Sequence, residues 1–423
     1  MNEIGLGIIG AGTVGSELIR RLTVGLDDIR DKTGLELVIR KVAVRSLDNP
    51  RAFQLPAGVL VDDPFSLVED PHVDLVIELM GGVDPANELI RLALEHKKPV
   101  VTANKELIAT NGQELLETAQ SQGVSLLFEA AVGGSVPIIK PLWETLIAEQ
   151  IVQIIGIVNG TTNYILTQMK HHGASYEDAL EKAQKLGYAE PDPKSDVDGS
   201  DAAYKTAILA SLAFGAWIDP YDVHRTGIEN IQAEDISYAT ELGYTIKSIV
   251  ILDRTILGLS ARVYPVLIAH DHPLARIDGA TNAILVEGPF IGQVLLAGSG
   301  AGGEPTATVV LGDVISASRS LLIGGDSIPR VRVSPEDVVP IDVLLAEWYV
   351  RLEVDDQPGV LSRVAGAFGD AGVSIRLVRS DAESTNLIVM TDQASESDHQ
   401  LAFSTLNDLD VVHEIASRIR VHR

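Results

Sequence analysis

The chain has no cysteine among its 423 residues, which excludes disulfides, thiolate metal sites and any mechanism that runs through a cysteine acyl-enzyme. Aromatic residues are sparse at 4%, and positive charge is scarce: 33 Lys and Arg stand against 59 Asp and Glu, a formal net charge of −26. Such a chain repels phosphate backbones and anionic lipid, so neither nucleic acid nor a membrane surface is an expected partner. Long apolar runs are also missing. Ile151–Val158, broken by Gln153 and Gly156, falls far below the ~20 residues that cross a bilayer. The first residues read directly as a core strand, with no basic, apolar and cleavable leader, and a cytoplasmic location is expected.

What is present is a globular balance, 46% hydrophobic and 22% charged residues, in a chain long enough for two or three domains. The N-terminal third alternates strand-like runs (Ile4–Gly10, Leu35–Val44, Val73–Glu78, Pro99–Ala103, Ser125–Phe128) with helical patterns (Thr13–Leu22, Asp84–Glu95, Lys105–Gln122). That alternation predicts a doubly wound, Rossmann-type parallel sheet. The pattern then changes to an α+β arrangement. Strands are expected at Ile151–Val158, Tyr244–Leu252 and Leu259–Ile268, and helices near Thr162–Lys170, Tyr176–Leu186, Asp201–Phe214 and Pro305–Leu322. Gly324, Gly325, Pro329, Pro335 and Pro340 punctuate a linker, after which the order βαββαβ predicts a ferredoxin-like unit. The expected domains are 1–135, with 300–322 returning to it; 136–322; a linker over 323–345; and 346–423.

Gly10-Ala11-Gly12-Thr13-Val14-Gly15 follows the first strand and opens a helix, the context a dinucleotide fingerprint requires. Gly10 suits the tight turn, Gly12 the approach of a pyrophosphate and Gly15 close helix packing, while the helix start offers amides to an anion. Arg45 stands at the end of the second strand, where enzymes that use NAD usually carry an acid. A guanidinium there suits a 2′-phosphate and predicts NADP(H) over NAD(H). The alternative is a solvated arginine paired with Asp48.

Four further motifs are candidates for the site, and each has a plainer structural reading. Thr102-Ala103-Asn104-Lys105 lies where a parallel strand ends, the edge at which ligands bind, although Lys105 could be an ordinary helix-start lysine. Glu190, Asp196, Asp198, Asp201 and Lys205 gather carboxylates and an amine after Gly187, with Asp201 and Lys205 spaced i, i+4; a helix-capping or calcium-binding acidic loop is the plainer reading. Asn159–Asn163 reads as a capped turn with Thr161 or Thr162 at the N-cap, and Gly300–Thr306 as a glycine-rich helix entry.

Taken together, GIIGAGTVG, VTANKE, FEAAVGGSVPII, NGTTNYIL, GYAEPDPKSDVDGSDAAYK and GAGGEPTA, in this order over residues 6–308, resemble the homoserine dehydrogenase family. The resemblance implies interconversion of L-aspartate 4-semialdehyde and L-homoserine in threonine, methionine and isoleucine biosynthesis. It assigns catalysis to Lys205 with Asp201 as its orienting partner, and substrate binding to Glu190, Lys105 and Asp196. It adds Lys105 and Gly302 to the candidate cofactor residues Gly10, Gly12, Thr13, Val14, Gly15, Arg45 and Thr102. It further implies a monovalent cation, Na+ or K+, on the carbonyls of Glu129, Val132, Gly134 and Val136. A substrate and dimerisation role for the second domain implies a homodimer or homotetramer.

The last unit, with Val354–Leu361 before a helix and Ala371-Gly372-Val373-Ser374-Ile375 after it, resembles the ACT domain. In such an enzyme the implied effector is threonine; a module used only for dimerisation is the plainer reading. Aspartate-semialdehyde dehydrogenase, the nearest enzymatic rival, needs the cysteine this chain lacks. A non-catalytic nucleotide- and amino-acid-binding sensor is the alternative from another class, and Lys105, Glu190, Asp201 and Lys205 speak against it.

Overall fold

Six strands, β1 (Glu3–Ile9), β2 (Glu36–Ala43), β3 (Leu60–Val61), β4 (Leu75–Glu78), β5 (Val100–Thr102) and β6 (Leu126–Leu127), form a parallel sheet in the order β3-β2-β1-β4-β5-β6. They are observed in a computed structural model that describes residues 3–323, 333–380 and 385–423. Runs such as Leu6–Ile9 and Leu75–Ile77 become central strands because both faces are covered and nearly every side chain is buried. The strand order reverses between β1 and β4, which opens a crevice at their carboxyl ends, the place where such sheets take ligands.

Packing divides the chain into two compact units: Met1–Val152, Tyr204–Tyr221 and Asn282–Glu336 in the first, and Gln153–Ala203, Asp222–Thr281 and Asp337–Arg423 in the second. The helices of the sheet are α1 (Thr13–Val24), α2 (Leu26–Thr33), α3 (Pro64–Glu69), α4 (Ala86–Glu95) and α5 (Lys105–Gln122). α5 starts where Asn104 accepts from Leu107 N and stops at Gly123, whose φ of 69° suits glycine. The first unit also holds the helix Gly303–Ile323, which packs on α1. By length and composition that helix passes the test for a membrane span, yet it buries Thr306, Ala307, Val310, Val314 and Ala317 and carries the buried Asp313, as a core helix does.

In the second unit, β7 (Gln153–Ile157) leads into α6 (Gly160–His172), α7 (Tyr176–Lys185) and the short α8 (Lys194–Val197); α9 (Ser200–Phe214) crosses the division after Ala203. β7 pairs with the hairpin Tyr244–Thr255/Gly258–Ala269. The tail folds as expected: strand Leu345–Val354, helix Val360–Asp370, strands Ile375–Ser380 and Asn386–Thr391, helix Glu396–Asn407 and strand Val412–His422. Its antiparallel order, fourth-first-third-second, is ferredoxin-like. Strand Val412–His422 also pairs in parallel with Gly258–Ala269, and Tyr349, Ile388, Met390 and Ile419 enter one core with Ile165, Met169, Ile246 and Leu267.

Several elements differ from the sequence reading. The hairpin Thr281–Gly288/Gly292–Ser299, helix Ala233–Glu241, and α2 and α3 are additional. Helix Ala233–Glu241 starts on an unusual capping box, Gln232 with Asp235, where a Ser, Thr or Asn would have marked it. Of the linker markers, Gly324, Gly325 and Pro329 lie outside the described residues, while Ser334 and Pro335 pair with Ala216 and Trp217.

Candidate active site

The loop Gly10–Gly15 joins β1 to α1, and its three glycines answer to different neighbours. Gly10 has φ 101°, and a Cβ on it would meet Leu79 O at 2.6 Å; a Cβ on Gly15 would meet Gly10 O at 2.2 Å. Both are dictated by the fold. A Cβ on Gly12 would meet nothing within 4 Å, so the protein itself has no need of glycine there. Gly12 is the N-cap of α1, whose first turn has neither a side-chain cap nor an acidic residue. The first-turn amides therefore have no side-chain acceptor competing for them, a condition for binding a phosphate. The residues fit a dinucleotide.

Gly302 and Gly303 open the long helix beside this loop. Gly302 has φ 124°, and a Cβ on Gly303 would lie 3.1 Å from Thr13 O, so the two glycine-rich turns meet backbone to backbone. Arg45 is exposed just past β2 and, among the described residues, has no acidic partner; the ion pair with Asp48 that the sequence offered does not form. Arg51 organises this loop by donating to the carbonyls of Leu47 at 3.0 Å and Asn49 at 2.8 Å.

At the ends of β4 and β5 a buried network sets the backbone. Glu78 Oε2 accepts from Thr102 Oγ1 at 2.6 Å, Glu78 Oε1 accepts from Met80 N at 2.7 Å, and Asn104 N donates to Thr102 Oγ1 at 3.0 Å. Asn104 Nδ2 reaches Gly82 O at 2.6 Å. Lys105, the first residue of α5, is half-buried. Glu78 was missed in sequence because it reads as the last residue of an apolar strand; its carboxylate is fully buried and spent on this network.

The segment Phe128–Val136 is buried around Glu129, whose carboxylate accepts from the amides of Ile138 at 2.6 Å, Ile139 at 2.7 Å and Lys140 at 2.6 Å. Burial raises the Glu129 pKa, and the three amide donors oppose that rise. With this side chain committed, only main-chain carbonyls remain for a cation. Among the described residues no hydrogen bond falls on those of Val132, Gly134 or Val136. A Cβ on Gly134 would lie 2.1 Å from Gly300 O, which places this turn directly against the second glycine-rich loop.

In the second unit, Asn159, at the start of α6, donates from Nδ2 to Asp196 Oδ1 at 2.8 Å and to Asp201 Oδ2 at 3.0 Å. It is also the N-cap, accepting from Thr162 N at 2.9 Å, so the cap lies two residues before the expected Thr161. Thr161 Oγ1 instead donates to Tyr188 O at 2.6 Å, and the Tyr164 and Tyr188 rings pack 4.8 Å apart with their planes tilted by 41°, which ties the Gly187–Pro193 loop to α6. Glu190 is exposed on that loop, its carbonyl held by Gln184 Nε2 at 3.1 Å. Asp198 Oδ1 accepts from Ser200 N at 2.8 Å and so starts α9, on which Asp201 and Lys205 stand one turn apart, both buried. Among the described residues no cluster of acids and histidines is arranged to hold a metal, so the calcium-loop reading of the acidic run has no geometric support.

A buried lysine stands one turn from a buried carboxylate in a chain with a dinucleotide loop, an arrangement compatible with proton transfer beside a hydride transfer. Comparison with known families decides which one. A homoserine dehydrogenase model matches residues 137–315, and a model of the homoserine dehydrogenase NAD binding domain matches residues 10–129.

The chain belongs to the homoserine dehydrogenase family.

An ACT domain model matches residues 348–410. The homoserine dehydrogenase of Synechocystis is 43% identical over 98% of this chain and 99% of its own length, and that of Mycobacterium bovis is 41% identical over 99% and 97%. Among solved structures, a homoserine dehydrogenase from Thiobacillus denitrificans superimposes with a TM-score of 0.94 at 38% identity, covering 100% of this chain and 99% of that one. A mutant of a hyperthermophilic archaeal homoserine dehydrogenase, solved in complex with NADPH, matches with a TM-score of 0.63 at 28% identity, over 75% of this chain and 98% of that one. As a homoserine dehydrogenase, the chain is an oxidoreductase of amino-acid biosynthesis that joins a Rossmann nucleotide domain, a catalytic domain and an ACT domain.

Proposed function

We propose that this homoserine dehydrogenase interconverts L-aspartate 4-semialdehyde and L-homoserine with NADP(H) preferred, and that Lys205 carries the proton step. The single observation behind the catalytic assignment is the buried pair on α9, Asp201 and Lys205, with Asp201 held by Asn159. When bound, a nicotinamide dinucleotide supplies or accepts the hydride. Negative charge then develops on the substrate oxygen during reduction, and an ammonium held at that oxygen stabilises the transition state more than the ground state. Lys205 delivers that proton in reduction and takes it back in oxidation. Asp201, one turn earlier, orients the ammonium. Glu190, Lys105 and Asp196 hold the amino-acid portion, with Lys105 shared with the nucleotide site.

Preference for NADP(H) rests on Arg45, exposed and without an acidic partner among the described residues at the strand end where a 2′-phosphate is read. Gly10, Gly12, Thr13, Val14, Gly15 and Thr102 form the rest of the nucleotide site, with Gly302 toward the nicotinamide. A sodium or potassium ion on the carbonyls of Glu129, Val132, Gly134 and Val136 is part of the same reading, and the Glu129 side chain, committed to three amides, is no ligand. The assay is NADPH oxidation with L-aspartate 4-semialdehyde, run beside NADH. Equal or better turnover with NADH removes the Arg45 argument.

For the tail we propose feedback by threonine, bound at the loop before helix Val360–Asp370. Gly359 there has φ 94° and opens the helix, so its first amides are presented by a turn that only glycine adopts without strain. Activity unchanged by millimolar threonine in the full chain contradicts this reading. A homodimer or homotetramer is part of the same proposal; the edge strand Gly292–Ser299, exposed at alternate residues, is a surface open to a second copy, and light scattering reports the state.

A further inference from the structure

The side chain of Asn159 is fully committed, and in a way that helix capping does not explain. Its Oδ1 accepts from Thr162 N at 2.9 Å, the ordinary N-cap bond. Its Nδ2 sends one hydrogen to Asp196 Oδ1 at 2.8 Å and the other to Asp201 Oδ2 at 3.0 Å. The residue is 7% exposed, and Thr162 Oγ1 returns a bond to the Asn159 carbonyl at 3.1 Å, so backbone and side chain are both pinned.

Asp, Ser and Thr cap helices about as well as Asn, so the cap alone does not select an amide. Bridging does. A carboxylate has no hydrogen to give, and a hydroxyl has one; a primary amide supplies one acceptor and two donors from a single rigid plane. Carboxylates that reach the same nitrogen lie within about 6 Å of each other, the range in which like charges oppose each other's ionised form. A donor fixed on each oxygen offsets that repulsion and sets the orientation of both groups.

We propose that Asn159 is a positioning residue for the reaction, holding Asp201 in the orientation that serves Lys205 and holding Asp196 at the substrate. The inference rests on the catalytic reading of Lys205 and Asp201 given above. It links the NGTTN motif to the acidic motif that begins about 30 residues later through one side chain, and it makes Asn159 necessary for chemistry though it need not touch substrate.

The test compares Asn159→Asp and Asn159→Ser with wild type and with Asp201→Ala. Both Asn159 variants keep a capping oxygen for Thr162 N; Ser adds no charge and so remains informative if the Asp variant, which adds a third carboxylate, does not fold. The expected result is a melting temperature for Asn159→Ser within a few degrees of wild type, unchanged NADPH affinity, and kcat lowered about 10- to 100-fold, the scale for a displaced catalytic group. Wild-type kcat in a folded Asn159→Ser or Asn159→Asp protein, with Asp201→Ala impaired, overturns the bridging role and leaves the catalytic reading intact. Full activity in Asp201→Ala overturns both.

Discussion

Arg351, on the first strand of the tail, forms a buried ion pair with Asp235 of helix Ala233–Glu241, Nε to Oδ1 at 2.8 Å, with side chains 2% and 0% exposed. Tyr349 Oη donates to the same oxygen at 3.2 Å, and Arg351 Nη2 reaches Gln232 Oε1 at 2.5 Å. Asp235 also closes the capping box of its own helix. Tail and catalytic-domain residues thus share one charged network inside one core. Asp235→Ala leaves Arg351 buried without its partner, and we expect a loss of about 3–5 kcal/mol in chemical denaturation. A change below 1 kcal/mol would show that this contact does not tie the tail to the core.

Nucleotide preference is tested at Arg45. Arg45→Ala removes a charged donor from an exposed site, and a charge-assisted bond to phosphate is worth about 1.5–3 kcal/mol. The expected change is a rise of about 10- to 100-fold in KM for NADPH with KM for NADH nearly unchanged. Parallel changes for both nucleotides contradict the role.

Two histidines make stability depend on pH in a fixed direction. His224 and His422 are each lowered to about 4, chiefly by burial; Arg420 and Arg262 add to the shift at His224, opposed by Asp342, and His272 and Arg262 add at His422. Between pH 4 and the ordinary value of 6.5 the unfolded chain binds more protons than the folded one. Their contribution is therefore complete above pH 6.5 and lost as pH falls toward 4. The melting temperature should fall across that window, and less steeply in the His224→Phe, His422→Phe protein; equal slopes count against the assignment.

Much of this was legible in the sequence, and the losses have causes. The parallel sheet was readable because β1 and β4 are buried on both faces and so read as apolar runs, and α5 was read to its ends because Asn104 and Gly123 are ordinary start and stop signals. The hairpin Thr281–Gly288/Gly292–Ser299 was not, since its second strand is an exposed edge carrying small residues and glycine. Gly10, Gly12 and Gly15 could be assigned from spacing; that Gly12 alone has open space above it could not. The acidic motif was visible as composition, whereas the amide that bridges Asp196 and Asp201 lies 37 and 42 residues away and appears only once the chain folds.

Feedback is tested at the turn before helix Val360–Asp370. Gly359→Ala places a side chain at φ 94° and disturbs the amides that would hold an amino acid. The full-length variant should keep its basal rate and require more threonine for half-inhibition; an unshifted threonine response rules this loop out.

Lys205 is proposed to perform the proton step of homoserine dehydrogenase chemistry. The direct measurement is the initial rate of NADPH oxidation with L-aspartate 4-semialdehyde, for wild type and Lys205→Ala, alongside NADPH binding by fluorescence. The expected result is turnover by wild type, a loss of about 10²- to 10⁴-fold in Lys205→Ala, and equal nucleotide affinity in both. Turnover by Lys205→Ala at the wild-type rate would contradict it.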